Sequence, residues 1–257
     1  MDLEGMWKHI GLFAILLGRI SAFIFMLPVM GNRSVPSPAK IGLAVFVSIL
    51  MFSMVKGMED DLPAETIPFV LVVVKEVVVG LTLGFITKLV IASVQMAGEV
   101  VGIQMGFGVA RVIDPGFQSQ ISIVAEFQVF IVLLFYLTLD GHHFLLSGLF
   151  QSYESIPIAK SSVSGGIEDH VVNMASGMFQ SAVKIGAPVI VALLLTNMAL
   201  GLIARTVPQM NIFIIGLPIR LGVGFLALAI TITLFMHVFR NIWSRFLSDF
   251  VAFIHLF

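Results

Sequence analysis

Residues 98–120 read Gly98-Glu-Val-Val-Gly102-Ile-Gln-Met-Gly106-Phe-Gly108-Val-Ala-Arg111-Val-Ile-Asp114-Pro115-Gly116-Phe-Gln-Ser-Gln120, and they interrupt a chain that is otherwise almost continuously apolar. Five glycines, one arginine, an Asp-Pro pair and a cluster of amides make this the most irregular stretch present. Gly98, Gly102 and Gly106 recur every four residues, which puts them on one helical face and lets another backbone come close. Beyond Gly106 the pattern changes. Gly108 follows after two residues, Pro115 pushes Asp114 out of the helical region, and Gly116 tolerates positive φ. The stretch therefore predicts a helix that opens into a loop at Gly106. Irregular backbone at membrane depth persists only when it is buried in protein or lines a water-filled passage, because lipid leaves its amides and carbonyls unpaired. The loop is either a connector at the membrane surface or the lining of something.

Composition narrows the class. The chain is 58% hydrophobic with a mean hydropathy of +1.06, and charged residues supply only 11%. These values describe an integral membrane or membrane-assembled protein. A net charge of −1 and the lack of any Lys/Arg run set nucleic-acid binding aside. With no cysteine, disulfides, thiolate metal sites and thiol catalysis are excluded. Asp2 and Glu4 precede an apolar run longer than a signal-peptide core, so no cleaved leader is expected.

Working outward toward the N-terminus, Ile67 to Ala97 forms a 31-residue segment that would measure about 46 Å as a straight helix, more than one bilayer core. It carries Lys75, Glu76 and Lys88, and Gly80 and Gly84 give it a second small-residue face. Its charges should face protein or water, which makes it part of an assembly. Upstream, Ile10 to Met30 is apolar apart from Arg19, and a second run covers Ile41 to Val55. The loop 31–40 is basic and the turn 56–66 acidic, so the positive-inside rule puts the first in the cytoplasm and the second outside.

Downstream, Ile121 to Leu139 is apolar around Glu126 and ends in Asp140-Gly141-His142-His143, followed by a short run from Phe144 to Phe150. Serines, Gly165, Gly166 and two acids make 158–170 the most linker-like segment, and the one internal boundary belongs there. The last third predicts a helical run from Val171 to Ala204 with Lys184 and Pro188, a turn over 205–211, and a final run from Ile212 to Val238. Arg205 and Arg220 stand before or within that final run, and Arg240 and Arg245 after it. Positive-inside then wants both ends in the cytoplasm, which one spanning helix cannot supply. A helical hairpin packed on partners resolves the conflict. The whole reads as all-α, a set of long kinked helices and hairpins.

No enzyme is legible: the zinc-protease and serine-hydrolase signatures are missing, and Gly106-Phe-Gly-Val lacks the aspartate of an intramembrane aspartyl protease. Neighbours on a helix do not share a face, so His142 and His143 read as polar helix-end residues and no metal or cofactor is expected. Arg19, Lys75, Glu76, Lys88, Glu99, Glu126 and Lys184 leave two readings. They bind substrate or relay protons in a secondary transporter or ion channel with a broken helix, or they pair with charges on neighbouring subunits. No internal repeat is evident, which weighs against the transporter.

Several motifs, taken in order, resemble the FliR family of flagellar biosynthetic proteins, whose injectisome counterpart is SctT. They are Gly102-Ile-Gln-Met-Gly-Phe-Gly-Val-Ala with Asp114-Pro115, Asp140-Gly-His-His, Ser152 with Pro157, Ala187-Pro188, Asn197 to Arg205, Pro208 to Phe213, and Leu217 to Arg220. Asp140-Gly-His-His favours the flagellar branch, and Arg220 stands where a lysine is common. The resemblance implies an export-gate subunit of the bacterial inner membrane at the flagellar basal body, built with FliP and FliQ and contacted by FlhB. Such a gate passes unfolded flagellar proteins outward, stands largely above the membrane plane, and draws its energy from the proton gradient and a separate ATPase.

The resemblance further implies that residues 1–157 are similar to the P subunit and 171–257 to the Q subunit, joined by the linker 158–170. Gly106, Phe107, Gly108, Val109, Ala110, Arg111, Val112, Ile113, Asp114 and Pro115 correspond to the plug that closes the channel, within a loop running to Gly116. Arg205, Pro208, Gln209 and Asn211 correspond to a cytoplasmic hairpin tip where FlhB docks. Gly80, Gly84, Gly98 and Gly102 are expected to pack helices.

Overall fold

The computed structural model describes residues 3–32, 34–55, 63, 65–108, 122–158, 167–209 and 211–254. Seven long helices account for nearly all of them: α1 (Leu3–Met26), α2 (Ser37–Met54), α3 (Thr66–Met105), α4 (Ile123–Thr138), α5 (Gly141–Ser155), α6 (Ile167–Thr206) and α7 (Ile212–Ile254). Among the described residues there is no strand. Five of these helices are long and apolar enough to cross a membrane, or six spans if α4 and α5, bent by 67° at their junction, count as one.

The helices begin and end where local chemistry requires. On α1 the buried positions Leu12, Ile15, Leu16, Arg19, Ile20, Phe23 and Ile24 step by three and four, a single stripe with an arginine at its centre. Pro28 lies just past its end. Pro36 precedes α2 and Pro38 occupies its first turn, where a missing N–H costs nothing. The α2 stripe of Lys40, Ala44, Val47, Ser48 and Met51 packs on α1. Lys40 folds back, its Nζ donating to the Asn32 carbonyl at 2.8 Å and lying over the Phe25 ring.

The glycine face and the long apolar segment expected as neighbours form one 40-residue helix, α3, of about 60 Å at 1.5 Å per residue. A further difference lies at the C-terminus, where the last helix runs on past Val238 to Ile254. Phe239, Trp243, Phe246, Phe250 and Phe253 are buried at alternating spacings of four and three, and that apolar stripe carries the helix through Arg240 and Arg245.

The chain forms two compact units that do not follow chain order: one of residues 1–89, 136–174 and 246–257, the other of 90–135 and 175–245. In the first, Phe250 of α7 closes on Gly148 of α5, and a His170 ring nitrogen meets the Asp249 carbonyl at 3.2 Å. In the second, Val101 and Met105 of α3, Val124 of α4, and Val189 and Leu193 of α6 make a buried cluster. Most of the linker-like segment, 159–166, lies outside the described residues.

Candidate functional site

The end of α3 lies in the second unit. Gly98 and Gly102 lie against α4 and the residue before it: a Cβ on Gly98 would strike the Ala125 Cα, and one on Gly102 would strike the Ser122 hydroxyl. The predicted small-residue face thus admits a backbone at Gly98 and a side chain at Gly102. Gly106 then ends the helix, with φ +103 and its N–H bonded to the Ile103 carbonyl at 3.1 Å. Side chains rarely adopt that φ, and a Cβ there would also meet Leu217 Cδ1 at 2.5 Å. Phe107 returns to the buried cluster and meets Phe225 of α7 edge-on, with ring centroids 6.3 Å apart. Gly108 has open space around it. Of the expected plug, Gly106, Phe107 and Gly108 are therefore placed. Val109, Ala110, Arg111, Val112, Ile113, Asp114 and Pro115 lie outside the described residues.

The charges divide into two groups. Arg19 and Glu76, expected to meet charges on other subunits, instead meet each other inside the first unit, with Arg19 Nε donating to Glu76 Oε2 at 2.5 Å. The correction has a steric cause. Gly80 sits directly on the Arg19 carbonyl and Gly84 on Met26, so α1 and α3 approach closely enough for the pair to form. The remaining Arg19 donors reach the Ser152 carbonyl (2.9 Å) and hydroxyl (3.2 Å) and the Ile156 carbonyl (3.1 Å), and the guanidinium lies 4.1 Å from the Tyr153 ring. By contrast Lys75, Lys88, Glu126 and Lys184 are exposed and Glu99 half-buried, with no ion-pair partner among the described residues.

Also in the second unit, residues 207–211 join α6 to α7. Arg205, Pro208, Gln209 and Asn211 are all exposed there, and the Asn211 carbonyl accepts from the N–H groups of Ile214 (3.1 Å) and Ile215 (3.3 Å). Between α4, α6 and α7 lies an apolar cavity of about 440 Å³, lined by Phe127, Phe225 and Phe235 with Gln128, Lys184 and Thr231 as polar members. Pro188, which lacks an N–H to bond the Lys184 carbonyl, lines it too.

A family described as bacterial export proteins, family 1, matches residues 10–246. The chain belongs to this family. Its relatives include the flagellar biosynthetic protein FliR of Bacillus subtilis (strain 168), 38% identical over 237 residues that cover 90% of each chain. FliR of Escherichia coli (strain K12) is 30% identical over 238 residues, 91% of this chain and 90% of the relative. FliR of Aquifex aeolicus (strain VF5) is 27% identical over 242 residues, 93% and 92% of the two chains.

In this family-1 export protein, an all-α multi-pass membrane protein, some site partners were invisible in sequence. Phe225 gave no signal, being an apolar residue in an apolar run, and Leu217 gave none beyond its place in the motif Leu217 to Arg220. A Cβ added at Gly224 of α7 would meet Met105 Cγ at 2.6 Å. The two histidines also depart from expectation. Asp140 takes a left-handed conformation (φ 52, ψ 30) at the 67° bend, and at this helix start the His142 and His143 rings come to 4.2 Å of one another.

Proposed function

We propose that this chain is a core subunit of the flagellar type III protein export gate, forming with FliP and FliQ subunits the channel through which unfolded flagellar proteins leave the cytoplasm. The observation that carries this reading is the likeness, along about nine tenths of the chain, to relatives named flagellar biosynthetic protein FliR. Its place is the inner membrane at the flagellar basal body. The role is structural, a gate without catalysis of its own.

Within that gate, Gly106 to Pro115 act as the plug. Support comes from the way the segment starts: a helix that stops on a positive-φ glycine, with Phe107 held in an apolar cluster, gives the segment one fixed end. The exposed tip at Arg205, Pro208, Gln209 and Asn211 is the docking place for FlhB, and its amides offer donors and acceptors to a partner backbone. Residues 1–157 act as the P-like part and 171–257 as the Q-like part. The exposed charges Lys75, Lys88, Glu126 and Lys184 pair across subunit contacts, as does Glu99.

The test is purification of the tagged whole chain from native membranes in mild detergent. Two other small membrane proteins in fixed ratio are the expected companions. A monodisperse chain that moves a solute without partners would overturn the gate reading in favour of a secondary transporter or ion channel.

A further inference from the structure

The geometry points to a surface site for a borderline divalent transition metal, Zn2+ above all, at the corner between α4 and α5, held by Asp140, His142 and His143. A carboxylate oxygen of Asp140 and one ring nitrogen from each histidine all lie within 4.8 Å of one another. Metal–ligand bonds of about 2.0–2.2 Å in a tetrahedron put neighbouring ligand atoms about 3.3–3.5 Å apart. His143 Nδ1 stands 3.4 Å from Asp140 Oδ1, already at that spacing. The third ligand needs only a side-chain rotation, since the two rings already sit 4.2 Å apart with planes tilted by 36°.

Two features make this more than a pair of neighbouring histidines. First, the left-handed backbone of Asp140 turns its carboxylate toward residues two and three positions on, so three ligands come from four consecutive residues without a loop to be ordered. Second, His142 Nδ1 is buried and has no hydrogen-bond partner among the described residues, while Asp140 and His143 are 74% and 72% exposed at their side chains. His142 packs against the Tyr136 ring, with centroids 6.5 Å apart, so one side of the site faces protein and the other is open to an ion in solvent. Two imidazoles and one carboxylate, with the remaining position left to water, suit Zn2+ rather than Ca2+ or Mg2+, which take all-oxygen shells. The positive end of the α5 dipole opposes a cation here, and the Asp140 carboxylate offsets it. Bound metal would hold the corner at its present bend.

The inference is independent of the export reading, so its test uses metal binding alone. The whole chain, purified with its companions through a tag without histidines, is titrated with Co2+ and then Zn2+. Expected are visible d–d bands of a four-coordinate Co2+ site that saturate at a single equivalent and are displaced by Zn2+. His142→Gln and His143→Gln should each weaken binding at least about 100-fold, beyond the loss that follows removal of a mere supporting partner. Asp140→Asn, which keeps a residue tolerant of the left-handed conformation, should weaken it with helicity by circular dichroism unchanged. Lack of saturable binding by the wild-type chain overturns the site. So does binding that survives in the triple variant, which would assign the metal to other residues.

Discussion

Arg19 and Glu76 stand 57 residues apart in sequence and form an ion pair with neither side chain exposed to solvent. With Ser152 and Ile156 they tie α1, α3 and the end of α5 into one joint, in which the guanidinium donates to the Ser152 carbonyl, which also accepts from the Ile156 N–H, and to the Ile156 carbonyl just past the end of α5.

Removing one partner from such a joint leaves the other buried and uncompensated. Arg19→Met is expected to destabilise the chain by about 3–5 kcal/mol. Glu76→Gln should cost less, because the amide oxygen still accepts from Arg19 Nε. Thermal unfolding in detergent measures both, and equal losses would show that the carboxylate charge contributes as much as the hydrogen bond.

Glycines alike in sequence should respond oppositely to alanine. Gly80→Ala drives a methyl into the Arg19 carbonyl and should cost about 1–3 kcal/mol, an overpacking penalty that backbone cannot relieve cheaply. Gly201→Ala meets nothing within 4 Å and should be neutral or stabilise by up to about 1 kcal/mol through helix propensity. Melting temperatures that fell equally for both would remove the packing role assigned to the α1–α3 face.

In the proposed gate, the break after α3 separates anchoring from sealing. Gly106→Ala forces a side chain into φ +103 and against Leu217, at a cost of about 1–3 kcal/mol. Deletion of residues 109–113, with Phe107 left in its cluster, should give an assembled complex that leaks small ions and solutes. Membrane conductance is the readout. Wild-type conductance in an assembled deletion variant would assign the seal to another element.

The exposed cations make a separate test of assembly. Photo-cross-linkers at Lys75 and Lys88, which point away from the helices packed on α3, should capture partner subunits. Recovery of lipid adducts alone from both positions would show that this face meets acyl chains instead.

How much was legible follows from the range of the forces involved. Apolar composition and segment length were enough for an all-α membrane protein, because desolvating backbone in lipid leaves a helix as the simplest solution for each span. The stop at Gly106 was legible too, since backbone preference is local. So was the close packing of Gly80, Gly84, Gly98 and Gly102, which a four-residue repeat of small side chains implies. The α7 stripe of Phe239, Trp243, Phe246, Phe250 and Phe253 could have been read from its spacing, but cations at Arg240 and Arg245 masked it in a hydropathy count.

Which surfaces meet was not legible. Nothing local distinguishes Gly80, pressed on a carbonyl, from Gly201, with space around it. Arg19 and Lys75 both look like stranded charges in apolar helices, yet one is met by four acceptor atoms and the other has no ion-pair partner among the described residues. The sequence alone determined the helices, the stop at Gly106 and the small-residue faces, all set by interactions within about one helical turn. Tertiary structure decided the partners, because a buried charge or a missing Cβ takes its energy from whatever the opposing helix places there.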